Sequence, residues 1–311
     1  MLAEKYTPDV LILLAAYNGN QFIREQIDSI IKQDLANWKL VLSDDGEKTS
    51  EILREYADRF PERIIHYRSG RRFGSAKAHF MHLLQRFGDE APYVMFSDQD
   101  DVWEKNKIRK TLAAMKEEEA NFDGPILVHT DLRVVDCSLK EISPSFFLYS
   151  QLGKHRHTPA QLLIQSNVSG CTAMLNRKLT MLSVRRVDTD KILMHDHWTA
   201  LIAAFFGRII FVDEPTILYR QHTSNSCGVK SLLSPAYIVS ALRRSNYRQL
   251  SIQAAAFLEC YGDMINKKDA QLLRAVISLK TNNKLLRVFT YFRFGLWKSP
   301  LLRQIGQIVF W

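Results

Sequence analysis

The sequence predicts an α/β fold in which a Rossmann-like, mostly parallel sheet is flanked by helices and followed by a C-terminal helical appendage. Short continuous apolar runs alternate with segments of helical periodicity over the first 130 residues. Such runs are typical of strands buried on both faces, and their alternation with helices is typical of parallel sheets. Polar or acidic residues directly follow three of the runs, at the strand ends where such sheets bind ligands.

Each predicted element follows from the spacing of its apolar residues. In the first helix, Ile23, Ile27 and Ile30 recur at intervals that place them on one side. The first five strands are predicted at 10–15, 38–43, 64–67, 93–96 and 126–130, with helices at 20–32, 50–60, 75–87 and 105–120. Beyond them we expect a hairpin or edge strand within 132–149, a short strand within 167–175, a helix at 198–206, strands at 209–212 and 216–219, and helices at 235–258 and 270–279.

Composition and charge divide the chain into two parts. Its 311 residues are 46% hydrophobic and 24% charged, as in ordinary globular proteins. The net charge of +9 arises in the C-terminal part, because residues 228–311 contain thirteen Lys and Arg against three Asp and Glu. We therefore predict one domain at 1–228 and a basic, aromatic-rich helical segment at 229–311. A basic segment of this kind indicates an anionic partner surface.

The cysteines and the absence of long apolar segments indicate a cytoplasmic protein. Cys137, Cys171, Cys227 and Cys260 form no Cys-x-x-Cys pair, which gives a zinc site or a redox dithiol little support. The N-terminal residues do not resemble a secretory signal, and no window of about 20 apolar residues predicts a spanning helix.

Three loops at predicted strand ends carry the candidate functional residues. They are Ala16-Tyr17-Asn18, Asp44-Asp45-Gly46 and Asp98-Gln99-Asp100-Asp101. Because the carboxyl ends of parallel strands lie at one edge of a sheet, we expect the loops to meet. Each loop is weak evidence alone, whereas three in register are much stronger evidence for a binding site.

The acidic loop after the fourth strand suits a divalent cation. Asp98 and Asp100 can point the same way from an extended turn and together hold Mg²⁺ or Mn²⁺, which also binds the phosphates of a nucleotide. Carboxylates this close repel one another, which costs stability unless a cation or hydrogen-bond donors compensate. A solvated turn that caps the next helix is the alternative interpretation.

The other two loops suit a nucleotide. A carboxylate of Asp44 or Asp45 can accept a hydrogen bond from a pyrimidine imide or from ribose hydroxyls, and Tyr17 offers an aromatic face. Helix capping by Asp45 or Asn18 is the alternative interpretation of each loop.

Taken together, these motifs resemble those of the inverting family 2 glycosyltransferases with the GT-A fold. The string Ser97-Asp98-Gln99-Asp100-Asp101-Val102-Trp103, with Lys107-Ile108 following, is similar to the rhamnosyltransferase-like branch in particular. So are Ser169-Gly170-Cys171-Thr172, His195-Asp196-His197-Trp198 and Tyr219-Arg220-Gln221-His222. The resemblance covers residues 8–228. The chain departs from the usual pattern at Glu47-Lys48-Thr49 and Ala76-Lys77-Ala78-His79.

The resemblance implies a role for each matching residue. The nucleotide-binding residues would be Ala16, Tyr17, Asn18, Asp44, Asp45 and Asp98, with Tyr17 and Asp44 at the base and Asp98 at the ribose. Asp100 would bind the cation, Mg²⁺ or Mn²⁺, and His222 would be a further contact to the metal or to the diphosphate. Asp196 would be the catalytic base, with a buried structural aspartate as the alternative.

Further residues are candidates for contacts with the diphosphate or the acceptor. They are Arg220, His195, His197, Trp198 and Lys77. By chemistry alone, the pair of histidines around Asp196 could also be half of a metal site, and Lys77 could be an ordinary surface lysine.

The C-terminal segment interleaves basic and aromatic residues. Its last stretch holds Phe289, Tyr291, Phe292, Phe294, Trp297, Phe310 and Trp311 among seven Lys and Arg from Arg274 onward. This pattern suits the interface of an anionic membrane. A helical lid over the catalytic domain and a homodimer interface are the alternatives.

The function implied by the resemblance is transfer of a sugar, rhamnose from dTDP-rhamnose in the first instance, to a hydroxyl of a glycan or lipid-linked glycan. We expect this at the inner face of the cell membrane, in surface polysaccharide biosynthesis, with a UDP-hexose as the alternative donor. A nucleic-acid-binding protein would explain the C-terminal charge but not the acidic loops, so no nucleic acid partner is expected. A nucleotidyltransferase would need a Gly-rich phosphate loop, which the first loop is not.

Overall fold

The computed structural model describes residues 7–46, 48–185, 187–221 and 247–310. The strands are β1 (Val10–Ala16), β2 (Trp38–Asp44), β3 (Ile64–Tyr67), β4 (Tyr93–Ser97), β5 (Val102–Trp103), β6 (Ile126–Val135), β7 (Glu141–Ser143), β8 (Met174–Asn176) and β9 (Arg208–Arg220). The helices are α1 (Ile23–Ile31), α2 (Ser50–Arg59), α3 (Ala76–Phe87), α4 (Lys107–Glu119), α5 (Phe146–Ser150), α6 (Pro159–Ile164), α7 (Arg177–Ser183), α8 (His195–Phe206), α9 (Tyr247–Tyr261), α10 (Lys267–Ser278), α11 (Lys284–Phe294) and α12 (Leu301–Phe310).

The strands form one sheet in the order β3-β2-β1-β4-β8-β6-β9-β5, with β7 beside β6. The first four strands are parallel, as are β6 and β9, whereas β8 is antiparallel to both of its neighbours. Parallel neighbours require crossover connections, which α1, α2 and α3 supply. The predicted α/β fold, a mostly parallel sheet flanked by helices, is confirmed.

Strand β1 lies at the centre of two apolar cores, one on each face of the sheet. Leu11 and Leu13 join the core that contains residues of α3 and α8. Ile12 and Leu14 join the core that contains residues of α1 and α4. Both faces are therefore buried, which explains why the strand is a continuous apolar run rather than an alternating one.

The C-terminal helices α9 and α10 extend the core on one face of the sheet. The rings of Phe257 in α9 and Trp198 in α8 pack edge to face, with centroids 5.3 Å apart. Tyr261, Leu273 and Val276 are buried in the same core. The expected C-terminal helical region is present, and its first two described helices pack on the sheet domain.

The structure differs from the predicted elements after residue 130. Two short strands were expected at 209–212 and 216–219, but β9 is one strand whose register against β6 shifts near Pro215, a residue without an N–H group. The short helices α5 to α7 were missed because fewer than two turns give no clear periodicity. Residues 235–246 of the predicted helix at 235–258 lie outside the described residues. Among the described helices, none is long and apolar enough to cross a membrane.

Candidate active site

A cavity of about 520 Å³ lies at the carboxyl ends of β1 and β4. Residues from all three polar loops line it, together with the start of α3, the turn before β8 and the start of α8. Seven of the predicted site residues line this cavity: Ala16, Tyr17, Asp45, Asp98, Asp100, His195 and Asp196. The fold therefore brings together residues that are up to 180 positions apart in the sequence.

The first loop is held by Gln99 of the acidic loop. The Gln99 carboxamide accepts a hydrogen bond from Tyr17 N at 2.8 Å and donates one to Tyr17 O at 3.2 Å. A Cβ atom at Gly19 would lie 2.1 Å from Gln99 Oε1, so a larger residue there would displace the Gln99 carboxamide. The side chain of Tyr17 is 60% exposed, which leaves its ring face open to a ligand. Asn18 is exposed in a left-handed conformation and does not line the cavity.

The two carboxylates of the second loop lie in different surroundings. Asp44 accepts hydrogen bonds from Thr49 N at 3.1 Å and from the Thr49 hydroxyl, and it does not line the cavity. Asp45 lines the cavity and accepts hydrogen bonds from the backbone N–H groups of Phe73 and Gly74. Asp44 thus stabilises the turn into α2, whereas Asp45 fixes the loop after β3 against the cavity.

The acidic loop after β4 concentrates negative charge at the cavity. Burial, together with the charges of Asp100 and Asp196, raises the pKa of Asp98 to about 7. Asp101 is 1% exposed, one of its carboxylate oxygens has no hydrogen-bond partner among the described residues, and burial raises its pKa. Candidate ligand atoms of Asp98, Asp101 and Cys171 lie within 4.8 Å of one another. These carboxyl groups would be stabilised by added positive charge.

A buried lysine lies on the inner side of this loop. The Lys107 side chain is fully buried, and its ammonium group, 4.7 Å from the centroid of the Trp103 ring, has no hydrogen-bond partner within the described part of the chain. Burial lowers the pKa of Lys107 to about 8, although the nearby Cys171 and Asp101 act in the opposite direction. Lys107 therefore places a basic group near Asp101, and it does not line the cavity.

Arg220 of β9 holds the acidic loop in place by hydrogen bonds. Its own N–H donates to the Asp101 carboxylate at 3.2 Å. Its guanidinium donates to the carbonyl oxygens of Asp100 at 2.9 Å and Cys137 at 2.6 Å, and pairs with Glu25. The side chain is buried and does not line the cavity. In this structure Arg220 contacts the acidic loop and not the open space of the cavity.

Asp196 stands at the start of α8, in the cavity wall. Its carboxylate oxygens accept hydrogen bonds from Gly170 N at 2.9 Å and His197 N at 2.7 Å. The neighbouring His195 is buried, stacks on Phe80 with ring centroids 4.2 Å apart, and has no side-chain hydrogen-bond partner among the described residues. Burial lowers the pKa of His195. A Cβ atom at Gly170 would lie 2.7 Å from His195 Nε2, so glycine leaves the room that this ring needs.

Three predicted contacts lie away from the cavity. The His197 ring hydrogen-bonds the Leu162 carbonyl at 2.6 Å, and Trp198 is completely buried in the core. The Lys77 ammonium donates to the Ile192 carbonyl at 2.7 Å. None of the three lines the cavity. They hold neighbouring segments together around it.

Among the cavity residues that were not predicted, two carry basic side chains. Arg72, in the loop after β3, and His79, in the first turn of α3, both line the cavity. The His79 ring is hydrogen-bonded to Ser43 Oγ at 2.8 Å, and burial lowers its pKa to about 4. A signal was available, because the loop after the third predicted strand ends at the same edge of the sheet as the other three.

The cavity wall has the ligands that a hard divalent cation requires. Asp98 and Asp100 present carboxylate oxygens, the ligand type that Mg²⁺ and Mn²⁺ prefer. The pKa of Asp98 is raised by burial and, to a lesser extent, by the charges of Asp100 and Asp196, and a bound cation would oppose both effects. The carboxylates in the cavity wall therefore fit a bound divalent cation. His222, the other predicted ligand, lies outside the described residues.

A largely parallel sheet that gathers acidic loops and a helix-borne carboxylate around one cavity has the architecture of the GT-A glycosyltransferases. The model of the family described as Glycosyl transferase family 2 matches residues 11–181. This match spans more than half of the chain, and the chain belongs to that family. The predicted family membership is confirmed.

Named relatives of the chain are also sugar transferases. The chain is 25% identical over 253 residues to dTDP-rhamnosyl transferase RfbG of Shigella flexneri, an alignment that covers 78% of this chain and 83% of that protein. It is 30% identical over 115 residues to UDP-Glc:alpha-D-GlcNAc-diphosphoundecaprenol beta-1,3-glucosyltransferase WfgD of Escherichia coli, covering 36% and 43% of the two chains.

Solved structures show the same fold. S. aureus TarS 1-349 in complex with UDP-GlcNAc superposes with a TM-score of 0.59 at 16% identity, covering 96% of this chain and 78% of that one. The Pyrobaculum calidifontis mannosyltransferase PcManGT, in complex with GDP-Man and Mn²⁺, superposes with a TM-score of 0.52 at 18% identity, covering 94% and 81%.

Proposed function

We propose that the protein is an inverting, cation-dependent glycosyltransferase that moves a sugar from a nucleoside-diphosphate donor to a hydroxyl group of an acceptor. The observation that carries the proposal is that Asp196 shares one cavity with Asp98 and Asp100. Direct displacement needs a proton acceptor near the attacking oxygen and positive charge near the leaving diphosphate. Asp196 can supply the proton acceptor, and Asp98 and Asp100 can bind a cation that supplies the positive charge.

The donor nucleotide is assigned to the first two loops. Tyr17 has an exposed ring that can stack on the base, and the backbone of Ala16 lies beside it. We assign the second loop's contact to Asp45, because Asp45 lines the cavity and Asp44 does not. Asp98 is assigned to the ribose hydroxyls. The unpredicted Arg72 is a candidate for the diphosphate, since guanidinium groups bind phosphate oxygens well.

The proposed reaction is a single displacement. The acceptor oxygen attacks the anomeric carbon while the Asp196 carboxylate takes the proton of the attacking hydroxyl group. The bond from the anomeric carbon to the diphosphate oxygen breaks, and its electron pair leaves with the diphosphate. Because two backbone N–H groups fix the Asp196 carboxylate, its orientation is set before the acceptor arrives. No covalent nucleophile is needed.

Bound Mg²⁺ or Mn²⁺ would supply charge stabilisation for the departing diphosphate. Asp100 is the proposed ligand, with Asp98 beside it and His222 as the ligand proposed from sequence. The Mn²⁺ present in the PcManGT complex, a protein of the same fold, supports the use of a divalent cation. The contribution of this chain is to hold Asp100 in place, which Arg220 does through the Asp100 carbonyl.

For the donor we propose dTDP-rhamnose, with a UDP-hexose as the alternative. Similarity to RfbG along most of both chains supports the first, and the shorter similarity to WfgD supports the second. For the acceptor we propose a glycan or lipid-linked glycan of surface polysaccharide biosynthesis, reached at the inner face of the cell membrane. The diphosphoundecaprenol in the name of WfgD supports an acceptor carried by lipid.

The test is a screen of dTDP-rhamnose, UDP-glucose and UDP-galactose with Mn²⁺ or Mg²⁺. Two quantities are measured for each donor: the shift in melting temperature and the nucleoside diphosphate released. We expect dTDP-rhamnose to stabilise the protein and to release dTDP, and we expect Asp100→Asn to lose the cation-dependent part of both signals. If no nucleotide sugar binds with a cation present, the proposal is wrong. A transferred sugar that keeps its anomeric configuration by NMR would rule out the single displacement.

A further inference from the structure

Helix α11 presents an apolar side to solvent. Leu285, Phe289 and Phe292 recur at helical spacing and are 84%, 58% and 69% exposed. The opposite side of the helix is occupied, because Thr290 and Tyr291 are buried against the rest of the protein. These large exposed side chains are therefore not used to pack the helix onto its own domain.

Helix α12 presents a second apolar side. Its exposed residues Leu301, Leu302, Ile305 and Val309 lie within one arc of the helix. Gln307 faces inward, and its side-chain amide donates to the Leu296 carbonyl at 2.8 Å. A helix that only packs on its own domain turns its most apolar side inward. Helix α12 does the opposite, because its most apolar side faces water.

The two helices adjoin. The Lys284 ammonium, at the start of α11, donates to the Val309 carbonyl, near the end of α12, at 2.9 Å. Between them, the ring of Trp297 packs edge to face on Phe292, with centroids 4.8 Å apart. Together the exposed residues of α11 and α12 form an apolar surface, which we call the α11–α12 face, of a kind that marks interaction sites.

The charges around this face are of one sign. Residues 270–311 contain seven Lys and Arg and no Asp or Glu. Lys280, Lys284 and Arg293 are exposed, with the latter two on the flanks of the apolar side of α11. Exposed aliphatic and aromatic side chains on a segment whose charged residues are all basic match the interface of an anionic bilayer, where acyl chains lie below negative headgroups.

We propose that the α11–α12 face docks on the surface of an anionic lipid bilayer and lies in its plane. Two-fold pairing of the same face in a second copy would bring like charges together, which opposes association. A lid interpretation is not needed for this face, because other sides of both helices already contact the domain: Tyr291 of α11 is buried, and Arg303 of α12 donates to the Ser150 carbonyl. Helices of ten and eleven residues are too short to span a bilayer but long enough to lie in its interface.

Docking would hold the active-site cavity at a fixed place relative to the lipid. Arg303 of α12 donates to the Ser150 carbonyl at 3.0 Å, at the end of α5. Helix α5 begins at Phe146, which lines the cavity. The significance for catalysis rests on the proposed function, in which the acceptor glycan is carried by lipid. The docking itself is independent of that function.

The experiment is co-sedimentation of the full chain with vesicles. Vesicles of phosphatidylcholine with phosphatidylglycerol are compared with vesicles of phosphatidylcholine alone, at low and high salt. We expect binding to the anionic vesicles, weaker binding at high salt, and little binding to the neutral ones. If the chain stays in the supernatant with anionic vesicles at low salt, the proposal is overturned, and this measurement needs no variant.

Paired variants locate the surface. The double change Phe289→Asp and Phe292→Asp should lower vesicle partitioning about tenfold or more, because it places charge where the acyl region would lie. The matched control, Met181→Asp with Met264→Asp, changes two exposed methionines elsewhere and should bind as the unchanged chain does. Equal loss in both pairs would assign the binding to another surface.

A charge pair separates the electrostatic part. Lys280→Glu with Arg293→Glu should remove most of the salt-sensitive binding, whereas Lys116→Glu with Lys140→Glu should not.

Sedimentation velocity tests whether a second copy of the chain covers the face instead. A stable dimer that the Phe289 and Phe292 changes dissociate, with no lipid binding, would overturn the proposal in favour of a second copy. Donor-dependent release of nucleoside diphosphate should be unchanged in the face variants, so failure of docking and failure of the proposed reaction are distinguishable.

Discussion

Asp196 accepts hydrogen bonds from two backbone N–H groups and still lines the cavity. An aspartate with a purely structural role would accept such hydrogen bonds without lining the cavity. Asp44 is such a case in this chain, because Thr49 satisfies its carboxylate and it does not line the cavity. At the scale of single residues, access to the cavity is what separates a candidate base from a capping residue of the same type.

Asp196→Asn should lower the rate of transfer by about 10²- to 10⁴-fold, because the amide cannot accept the proton of the acceptor hydroxyl. The fold should persist, since the amide oxygen can still accept the hydrogen bond from Gly170. Steady-state kinetics and a thermal melt check the two parts. Asp190→Asn, at an exposed carboxylate shortly before α8, is the control. Full activity of the Asp196 variant would remove this residue from the base role.

His79 gives a prediction for the pH dependence of stability. Its pKa is lowered by burial to about 4, below its unfolded value of about 6.5, so the unfolded chain takes up the proton first. The contribution of His79 to stability is present above pH 6.5 and is lost as the pH falls toward 4. His79→Gln should reduce this acid loss by roughly 2 kcal/mol at pH 4.5, as measured by urea unfolding at pH 7 and 4.5. His155→Gln, at an exposed ring, is the control, and an equal reduction there would contradict the assignment.

At the scale of elements, the acidic loop is held from several directions at once. Gln99 ties it to the loop after β1, and Arg220 ties it to β9. Cys171, in the turn before β8, lies within 4.8 Å of the Asp98 and Asp101 ligand atoms. These contacts fix the loop before a cation or nucleotide binds, which lowers the entropy lost on binding.

Arg220→Met should lower the free energy of unfolding by roughly 2–4 kcal/mol, because buried carbonyl groups lose their charged donor. Arg208→Met is the matched control on the same strand, since the exposed side chain of Arg208 pairs with Glu118 at the surface and should contribute less than about 1 kcal/mol. Chemical denaturation measures both. If the Arg220 variant is as stable as the control and fails only to bind the nucleotide, Arg220 is a ligand contact and not a structural one.

At the scale of the whole molecule, the segment after residue 246 is not uniform. Helices α9 and α10 share a core with the sheet domain, whereas α11 and α12 turn large apolar side chains to solvent. The proposed division at 1–228 and 229–311 thus describes a change in sequence pattern across which the apolar core continues. Cooperative unfolding of both parts is expected from a shared core.

Phe257→Ala should destabilise the entire chain by about 3–5 kcal/mol, because it removes a buried ring from the packing against Trp198. Calorimetry should still show one transition at a lower temperature. Phe289→Ala, the same change at an exposed ring, should shift stability by less than about 0.5 kcal/mol. Two separate transitions, with the upper one unaffected by the Phe257 change, would show that the helices fold independently of the sheet domain.

Local sequence pattern was sufficient for the first four parallel strands and for the expectation that their polar strand-end loops lie at one edge of the sheet. Apolar runs and helical spacing report burial over a few residues, and the strand-end rule then gathers loops that are far apart in the chain. The motif order around Asp98, Asp100 and Asp196 was enough to indicate the family.

Only the tertiary structure decided which side chains reach the cavity. Asp44 and Asp45 are adjacent and chemically identical, yet their surroundings differ because one meets Thr49 and the other meets the loop after β3. Arg220 faces the back of the acidic loop, and Trp198 lies in the core. The sequence likewise could not tell which apolar residues of 247–310 are buried, because side-chain direction depends on contacts between distant elements and not on local spacing.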